Sequence, residues 1–267
     1  MKQSLKTLIR ILVILILYFI TQALVMTVFA AIGGMGVQGD IQGAMNAYLA
    51  EKASLISLVH NALIILCLLL YRRKSAAVKQ AMPFSSLSLK ESAICLFSGI
   101  FLSLVVSMAL SLLPIPETAM TQYSTSLEQS ISGTFMENLL SVVVFAPVAE
   151  ELLFRGAIYG SFKGTSRRFI AIVASCALFG LMHQDPIWII YAFLMGLGLT
   201  LTLDAYGTLL APILLHMGFN FAGSVITPNM AGIPVILLFA AIIACILFIR
   251  HAMALAKSTH PIQGDKE

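Results

Sequence analysis

The sequence predicts an all-α, polytopic membrane protein with about eight transmembrane helices, and three observations lead to this class. Of the 267 residues, 59% are hydrophobic and only 10% are charged, and the mean hydropathy is +0.96, which is too apolar for an ordinary soluble domain. The apolar residues form long runs rather than strands of about ten alternating residues, which disfavours a membrane β-barrel. The third observation is the distribution of the basic residues.

Eight apolar segments can be traced along the chain. Each is near the roughly 20 residues that a helix needs to cross a bilayer, although the fifth and sixth are short. The first segment is longer than the apolar core of a secretory signal peptide, so we predict a retained span. The eight segments cover residues 11–32, 54–71, 92–113, 138–160, 169–183, 186–203, 209–226 and 233–250.

Basic residues fall almost entirely on one side of this arrangement. With the N-terminus in the cytoplasm, only Lys52 of the 16 lysines and arginines lies outside. Arg250 ends the last span on the cytoplasmic side, and only Arg155 lies in the interior of a span. Cytoplasmic loops of membrane proteins carry such an excess of lysine and arginine. The distribution therefore predicts eight spans with both termini in the cytoplasm. It also gives no sign of a nucleic-acid-binding patch, so no nucleic acid is predicted as a partner.

We predict a single membrane domain over residues 1–267. Within it, residues 1–137 hold the first three helices as a scaffold or substrate groove, 138–226 form the catalytic core, and 233–267 hold the last helix and a cytoplasmic tail. The four cysteines lie in apolar segments without a Cys-x-x-Cys spacing, which indicates neither a disulfide framework nor a cysteine metal site.

The fourth segment contains three charged residues, Glu150, Glu151 and Arg155. Charged side chains at the centre of a spanning helix cost about 2.5–3.5 kcal/mol each even on lenient scales, so they are a functional-site hypothesis by default. Glu151 can pair with Arg155 because residues four apart share a helix face. Glu150 is turned about 100° away. Such a pair of carboxylates titrates as a coupled system, and Glu150 is suited to accept a proton from water.

Two further polar pairs with the same spacing follow. His183 comes four residues after Phe179 in the fifth segment, and Asn220 comes four residues after His216 in the seventh. His183 could assist the activation of water, and His216 with Asn220 could donate hydrogen bonds to a developing oxyanion. The alternatives are structural: an ion pair for Glu151 and Arg155, and interhelical hydrogen bonds for the histidines. Phe179 is predicted to be a packing residue.

Two other features bear on the site. His60 and Asn61, in the second segment, are predicted to form helix–helix hydrogen bonds. At about 1.5 Å per residue, Glu150, His216 and His183 lie roughly 15, 10 and 20 Å from the cytoplasmic face. The three meet only if the fifth helix tilts or begins outside the bilayer.

These motifs resemble the CAAX protease and bacteriocin-processing family of intramembrane proteases, which includes type II CAAX prenyl endopeptidases. The resemblance covers about residues 142–221 and also includes the approach to the third motif, Leu-Leu-Ala-Pro-Ile-Leu-Leu-His at 209–216. Each motif alone is weak, and their occurrence in this order is specific. The three motifs read Glu150-Glu151-x-x-x-Arg155, Phe179-x-x-x-His183 and His216-x-x-x-Asn220.

The resemblance implies an eight-helix fold and hydrolysis of a peptide bond at a cavity facing the cytoplasm. It assigns Glu150 as the general base on water with His183 assisting, Glu151 and Arg155 as residues that order the site, and His216 with Asn220 as the oxyanion site. Partners would be membrane lipids and a peptide or protein substrate, with prenylation of that substrate left open. The implied location is a bacterial plasma membrane.

Three alternatives remain open from the sequence. No cofactor is predicted, but Glu150, His183 and His216 could instead form a two-histidine, one-glutamate zinc site, although the usual His-Glu-x-x-His zinc motif is missing. The chain could be a non-catalytic adaptor or bacteriocin self-immunity protein on the same fold. A transporter also uses buried charged residues, but no repeat relates the two halves of the sequence.

Overall fold

The computed structural model describes residues 2–74, 76–162, 168–226 and 235–259, and it is all-helical over these ranges, which confirms the all-α class. Long apolar stretches favour helix because it satisfies every backbone polar group within one segment. The helices are α1 (Lys2–Gly34), α2 (Ile41–Glu51), α3 (Ala53–Arg72), α4 (Ala76–Ala81), α5 (Leu89–Leu112), α6 (Glu117–Ser130), α7 (Phe135–Ser161), α8 (Arg168–Leu181), α9 (Pro186–Tyr206), α10 (Leu210–Ile226) and α11 (Val235–Thr259).

Several of these helices can cross a bilayer. Within the described ranges, α1, α3, α5 and α9 are each long and apolar enough to do so, and α6 with α7 forms a fifth candidate that bends by 102° at its break. Helices α8, α10 and the 239–255 part of α11 are apolar but shorter. These helices indicate an integral membrane protein. Length alone gives four or five spans, so the count of eight and the placement of the termini stay predictions.

The chain divides into two compact units, each made of two stretches of sequence. The first unit comprises residues 1–81 and 117–171, and the second comprises residues 82–116 and 172–267. The predicted division at residues 137 and 138 concerns function rather than compactness and stays a prediction.

In the first unit, α1 packs against α2 and α3, and α3 packs against α7. At the start of α3, the Ser54 hydroxyl donates to the side-chain oxygen of Asn138, and the Ser54 amide donates to the carbonyl oxygen of Ser132 at 3.3 Å. At the opposite end of α7, a Cβ at Gly160 would overlap the carbonyl oxygen of Ala81 in α4. These contacts fix α7 at both ends.

In the second unit, α5 crosses α10 at very short range. A Cβ added at Gly99 would overlap the carbonyl oxygen of Leu215, and one added at Gly218 would overlap that of Leu96. Small residues at a crossing let two helix backbones approach closely, which is how many membrane helices pack. The same unit packs α11 against α5 and α9. The helix that carries His216 and Asn220 is therefore positioned by backbone-to-backbone contact.

Helices also occupy segments that the hydropathy pattern assigns to loops. Helix α2 follows a glycine-containing turn at 35–40, and its first turn is capped by the Asp40 carboxylate, which accepts from the amide of Gly43 at 2.8 Å. Helix α6 is polar and has no buried residue, so its sequence has no apolar stripe that would predict a packed helix. The loops of this protein thus carry helical structure of their own.

Candidate active site

Helix α7 changes its hydrogen-bonding register around Glu150. An α-helical turn at Ala146–Glu150 lies between two π-helical stretches, Leu139–Phe145 and Glu151–Ile158. The amide of Ala146 donates to Ser141, five residues earlier, and Pro147 has no amide hydrogen to donate. Wider π-helical turns inside α-helices occur frequently at functional sites. The irregular backbone is located where the charged residues are.

Glu151 and Arg155 form an ion pair that is completely enclosed. The Nη1 atom of Arg155 donates to Oε1 of Glu151 at 2.9 Å, and both side chains are 0% exposed. The whole stretch from Glu151 to Ile158 is buried. A charge in such surroundings is tolerated when it is paired, and the four-residue spacing expected from the sequence provides the partner. The pair can hold this part of α7 in one geometry.

Glu150 occupies a different environment from its neighbour. Its side chain is half-buried and lines a cavity of ≈ 290 Å³ in the first unit. Helices α1, α2, α3 and α7 all contribute to the wall. The lining residues are Tyr18, Gln22, Met26, Leu49, Ala53, Ile56, Ser57, His60, Asn61, Ala146 and Glu150.

The cavity wall contains polar side chains that the sequence assigned to packing. The ring of His60 meets the ring of Tyr18 edge-on at 4.6 Å, and its Nε2 atom donates to the carbonyl oxygen of Tyr18 at 3.3 Å. This is the predicted bond between helices. Asn61 instead donates to the hydroxyl of Ser57 in its own helix at 3.1 Å. Ala53, Ser57 and Asn61 are spaced four residues apart in the sequence, which places them on one face of α3. This spacing could have indicated that the face lines a cavity.

In the second unit, the ring of Phe179 contacts both histidines of the predicted site. It lies edge-on to the ring of His183, with the ring centres 5.1 Å apart, and edge-on to the ring of His216 at 5.7 Å. Phe179 is 1% exposed and His216 is 2% exposed. Phe179 is thus a packing residue, as predicted, and its packing partners are the two histidines of the predicted site.

His183 lies just after the end of α8, in the turn that leads to α9. Its Nδ1 atom is 2.9 Å from the carbonyl oxygen of Phe179. A carbonyl can only accept, so Nδ1 carries a hydrogen, and in the neutral imidazole Nε2 then carries the lone pair. That tautomer suits an imidazole that accepts a proton or binds a metal through Nε2.

Asp185, which lies outside the three sequence motifs, organises this turn. Gln184 adopts a left-handed conformation with φ of 63°, and the amide of Asp185 donates to the carbonyl oxygen of His183 at 2.7 Å. The Asp185 carboxylate then caps α9 by accepting from the amides of Ile187 and Trp188. An aspartate before Pro186 is a standard signal for a helix start, so the turn could have been found.

His216 and Asn220 lie one turn apart on α10. The side chain of His216 is buried and that of Asn220 is half-buried. The hydroxyl of Ser224 donates to the backbone oxygen of Asn220. Both residues are on the helix that the close crossing with α5 positions. Their role as oxyanion donors stays a prediction.

The predicted site residues therefore fall into two groups, one in each compact unit. Glu150, Glu151 and Arg155 belong to the first unit, and the residues of the second and third motifs belong to the second. That the two groups join in one active site stays a prediction. Within each unit, the described residues include no cluster of three or more His, Cys, Asp or Glu side chains of the kind that holds a metal ion. The zinc alternative draws on both units and likewise stays a prediction.

Comparison with known families finds a match to the stretch of sequence that carries the three motifs. Residues 132–222 match the family described as type II CAAX prenyl endopeptidase Rce1-like. The match confirms the resemblance predicted from the three motifs. It includes every residue of those motifs and covers about a third of the chain, so helices α1 to α6 lie outside it.

One curated relative has a sequence similar to part of this chain. It is the UPF0177 protein YbdI of Lactococcus lactis subsp. lactis (strain IL1403), which is 31% identical over 104 residues. The similarity covers 36% of this chain, and the chain spans about half of the relative, 56% of its length. No solved structure matches the chain.

Proposed function

We propose that this chain is an intramembrane endopeptidase that hydrolyses a peptide bond with water activated by Glu150. The observation that carries the proposal is the contrast between two adjacent glutamates inside the Rce1-like domain. Glu151 is fully buried and paired with Arg155, whereas Glu150 lines a cavity whose wall contains both polar and apolar residues. A carboxylate that faces a cavity suits general-base catalysis.

The proposed reaction needs only water and the peptide. Glu150 takes a proton from water while the water oxygen forms a bond to the carbonyl carbon of the peptide. The tetrahedral intermediate then collapses, the carbon–nitrogen bond breaks, and the proton on Glu150 passes to the leaving nitrogen. The products are a carboxylic acid, which ionises, and an amine, and Glu150 is a carboxylate again.

The second unit supplies the remaining roles in this proposal. His183, with the lone pair on Nε2, assists Glu150 in orienting the water. His216 and Asn220 donate to the oxyanion of the intermediate, a contribution typically worth about 2.7–4 kcal/mol per donor. Glu151 and Arg155 hold α7 in position. Zinc held by Glu150, His183 and His216 is the alternative mechanism. Stoichiometric zinc that is lost in His183→Ala would favour that alternative.

The proposed membrane arrangement has eight spans with both termini in the cytoplasm of a bacterium. Its support is the number of apolar helices, which is eight when the four long helices, the bent pair and the three shorter helices are counted together. The excess of basic residues on one side supports the orientation. In this arrangement, lipid surrounds the helices and the peptide bond reaches Glu150 from the cytoplasmic side.

The proposed substrate is a membrane-bound peptide or protein. The family description names CAAX prenyl endopeptidases, and a prenyl group would bring a peptide to the membrane by burying its apolar chain. A substrate that is itself a membrane helix would be brought there equally well. The mechanism requires only that the peptide bond reaches Glu150.

The decisive experiment compares protein termini in membranes from cells that express the wild type and Glu150→Gln at matched levels. We expect new termini with the wild type that are missing with Glu150→Gln, because an amide cannot accept the proton. Glu128→Gln is the matched control, since it makes the same change on the exposed surface of α6, and it should behave as the wild type. Cleavage retained in Glu150→Gln would end the proposal and favour an adaptor or immunity protein.

A further inference from the structure

The cavity beside Glu150 lies toward one end of the first unit. On α3, its lining residues all fall in the first half of the helix, from Ala53 to Asn61, and on α1 they fall between Tyr18 and Met26, in the half that leads to the α1–α2 turn. Leu49, in the last turn of α2, completes this side. The opposite end of α3 carries Arg72. The cavity thus runs from Glu150 toward the end that holds the turn at 35–40.

Exposure along the wall follows the same direction. Near the α1–α2 turn, Met26 is 42% exposed, and Leu49 and Ala53 are half-buried. Deeper in the wall, His60 is 4% and Asn61 is 5% exposed. Asn138, which bonds to Ser54 at the start of α3, precedes Glu150 by roughly 15–18 Å of helix. Along α1 and α3, the wall is therefore most open toward the α1–α2 turn, and Glu150, which is itself half-buried, lines the same cavity from α7.

The lining is mixed, and its polar part can bind water. Of the eleven lining residues, six carry a hydroxyl, amide, imidazole or carboxylate group and five are apolar. A cavity filled only by lipid would not need the six polar groups. The volume of ≈ 290 Å³ is far more than one water needs, and ordered waters require two to four polar partners each. The polar residues of the wall besides Glu150 are Tyr18, Gln22, Ser57, His60 and Asn61.

We propose that this cavity is the route by which water reaches Glu150, and that it opens at the end of the first unit that carries the α1–α2 turn. The role of the water rests on the proposed function, in which Glu150 activates it for hydrolysis. In that function the peptide bond approaches from the cytoplasmic side. Water and peptide then reach the carboxylate from opposite ends, so a bound peptide does not block the supply of water.

Cysteine labelling with a charged, membrane-impermeant thiol reagent tests this route. The test cysteines are Ser57→Cys and Ala53→Cys in the cavity wall. Gln38→Cys in the α1–α2 turn and Lys74→Cys after α3 report the two membrane faces, because both residues are exposed. Leu63→Cys is the matched control, since it lies on α3 outside the cavity lining and is 37% exposed.

Each variant is labelled in right-side-out and in inverted membrane vesicles. The experiment is run in the full chain with the four native cysteines replaced by alanine, and again with only the exposed Cys67 replaced, so that a folding defect in one background does not decide the result. Labelling after unfolding in detergent measures the total thiol in each sample.

We expect both test cysteines to react from the side that labels Gln38→Cys, at least about tenfold faster than Leu63→Cys, because a thiol in contact with water forms the reactive thiolate more readily than one facing lipid. Reaction only from the side of Lys74→Cys, from both sides, or from neither side would overturn the proposal. Comparison with Gln38→Cys makes the result independent of the absolute orientation of the protein.

The labelling needs no substrate, so it separates this proposal from the proposed function. If the test cysteines label as expected while Glu150→Gln still cleaves, the cavity admits water but Glu150 is not the base. If Glu150→Gln abolishes cleavage while the test cysteines stay unlabelled, the protease stands and this water route is wrong.

Discussion

The two groups of candidate site residues hold their polar side chains by different means. In the first unit, a full charge is buried against an opposite charge, with Glu151 and Arg155 both 0% exposed. In the second unit, two imidazoles pack against the Phe179 ring, and His183 also contacts the ring of Trp188 and a backbone carbonyl. An ion pair depends on both of its members, whereas packing against a ring is spread over many weak contacts.

The difference predicts how each group responds to mutation. Removing one member of a buried ion pair leaves an uncompensated charge and costs more than the pair contributes. Removing a packing ring lowers stability through the lost apolar contact and through the cavity that is left behind. Mutations in the first group should therefore mainly lower the free energy of unfolding. Mutations in the second group should mainly shift the positions of the two histidines.

The largest effect is expected for Arg155→Met, which leaves the buried carboxylate of Glu151 without its cation. We expect the free energy of unfolding in detergent to fall by about 3–5 kcal/mol. The double variant Glu151→Leu with Arg155→Met should recover most of that loss, because an apolar pair of similar volume removes the buried charge as well. Denaturant titration of the three proteins measures both changes. If the double variant is no more stable than Arg155→Met, the loss of stability does not come from the uncompensated charge of Glu151 alone.

An intermediate effect is expected where α5 crosses α10. Gly99→Ala places a Cβ against the backbone oxygen of Leu215, so the helices must separate, at a cost of about 1–3 kcal/mol. Gly198→Ala in α9 is the matched control, because nothing lies within 4 Å of its Cβ position. That control should be neutral or gain up to about 1 kcal/mol from helix propensity.

Unfolding of both alanine variants in detergent gives the comparison. The termini of cleaved membrane proteins then show whether the helix shift moves His216 and Asn220. If Gly99→Ala and Gly198→Ala are equally stable and equally active, α10 is not positioned by this crossing.

Local sequence patterns predict some parts of the molecule, and long-range packing determines the parts that they do not predict. The helical class and the ion pair follow from local rules, since hydropathy and a four-residue spacing are both visible in the sequence. Helices α2 and α6 were missed because one begins after a glycine-containing turn and the other is polar. The cavity of Glu150 combines α1, α2, α3 and α7, and no local pattern predicts which helices will meet. His60 was assigned correctly as a link between helices, but its place in the cavity wall depends on that packing.

The smallest effect on stability is expected for Phe179→Leu, which keeps the apolar volume but removes the ring between two imidazoles. Aromatic pairs contribute about 0.5–1.5 kcal/mol beyond their buried area, so a loss of about that size is expected on unfolding in detergent. Cleavage should fall further than stability, because His216 loses the ring packed against it and His183 keeps only the ring of Trp188 and its backbone bond. Phe169→Leu is the matched control, since Phe169 is 77% exposed, and it should change neither quantity. Full cleavage by Phe179→Leu would show that Trp188 and the backbone bond position His183, that burial positions His216, and that the phenylalanine is not needed in the site.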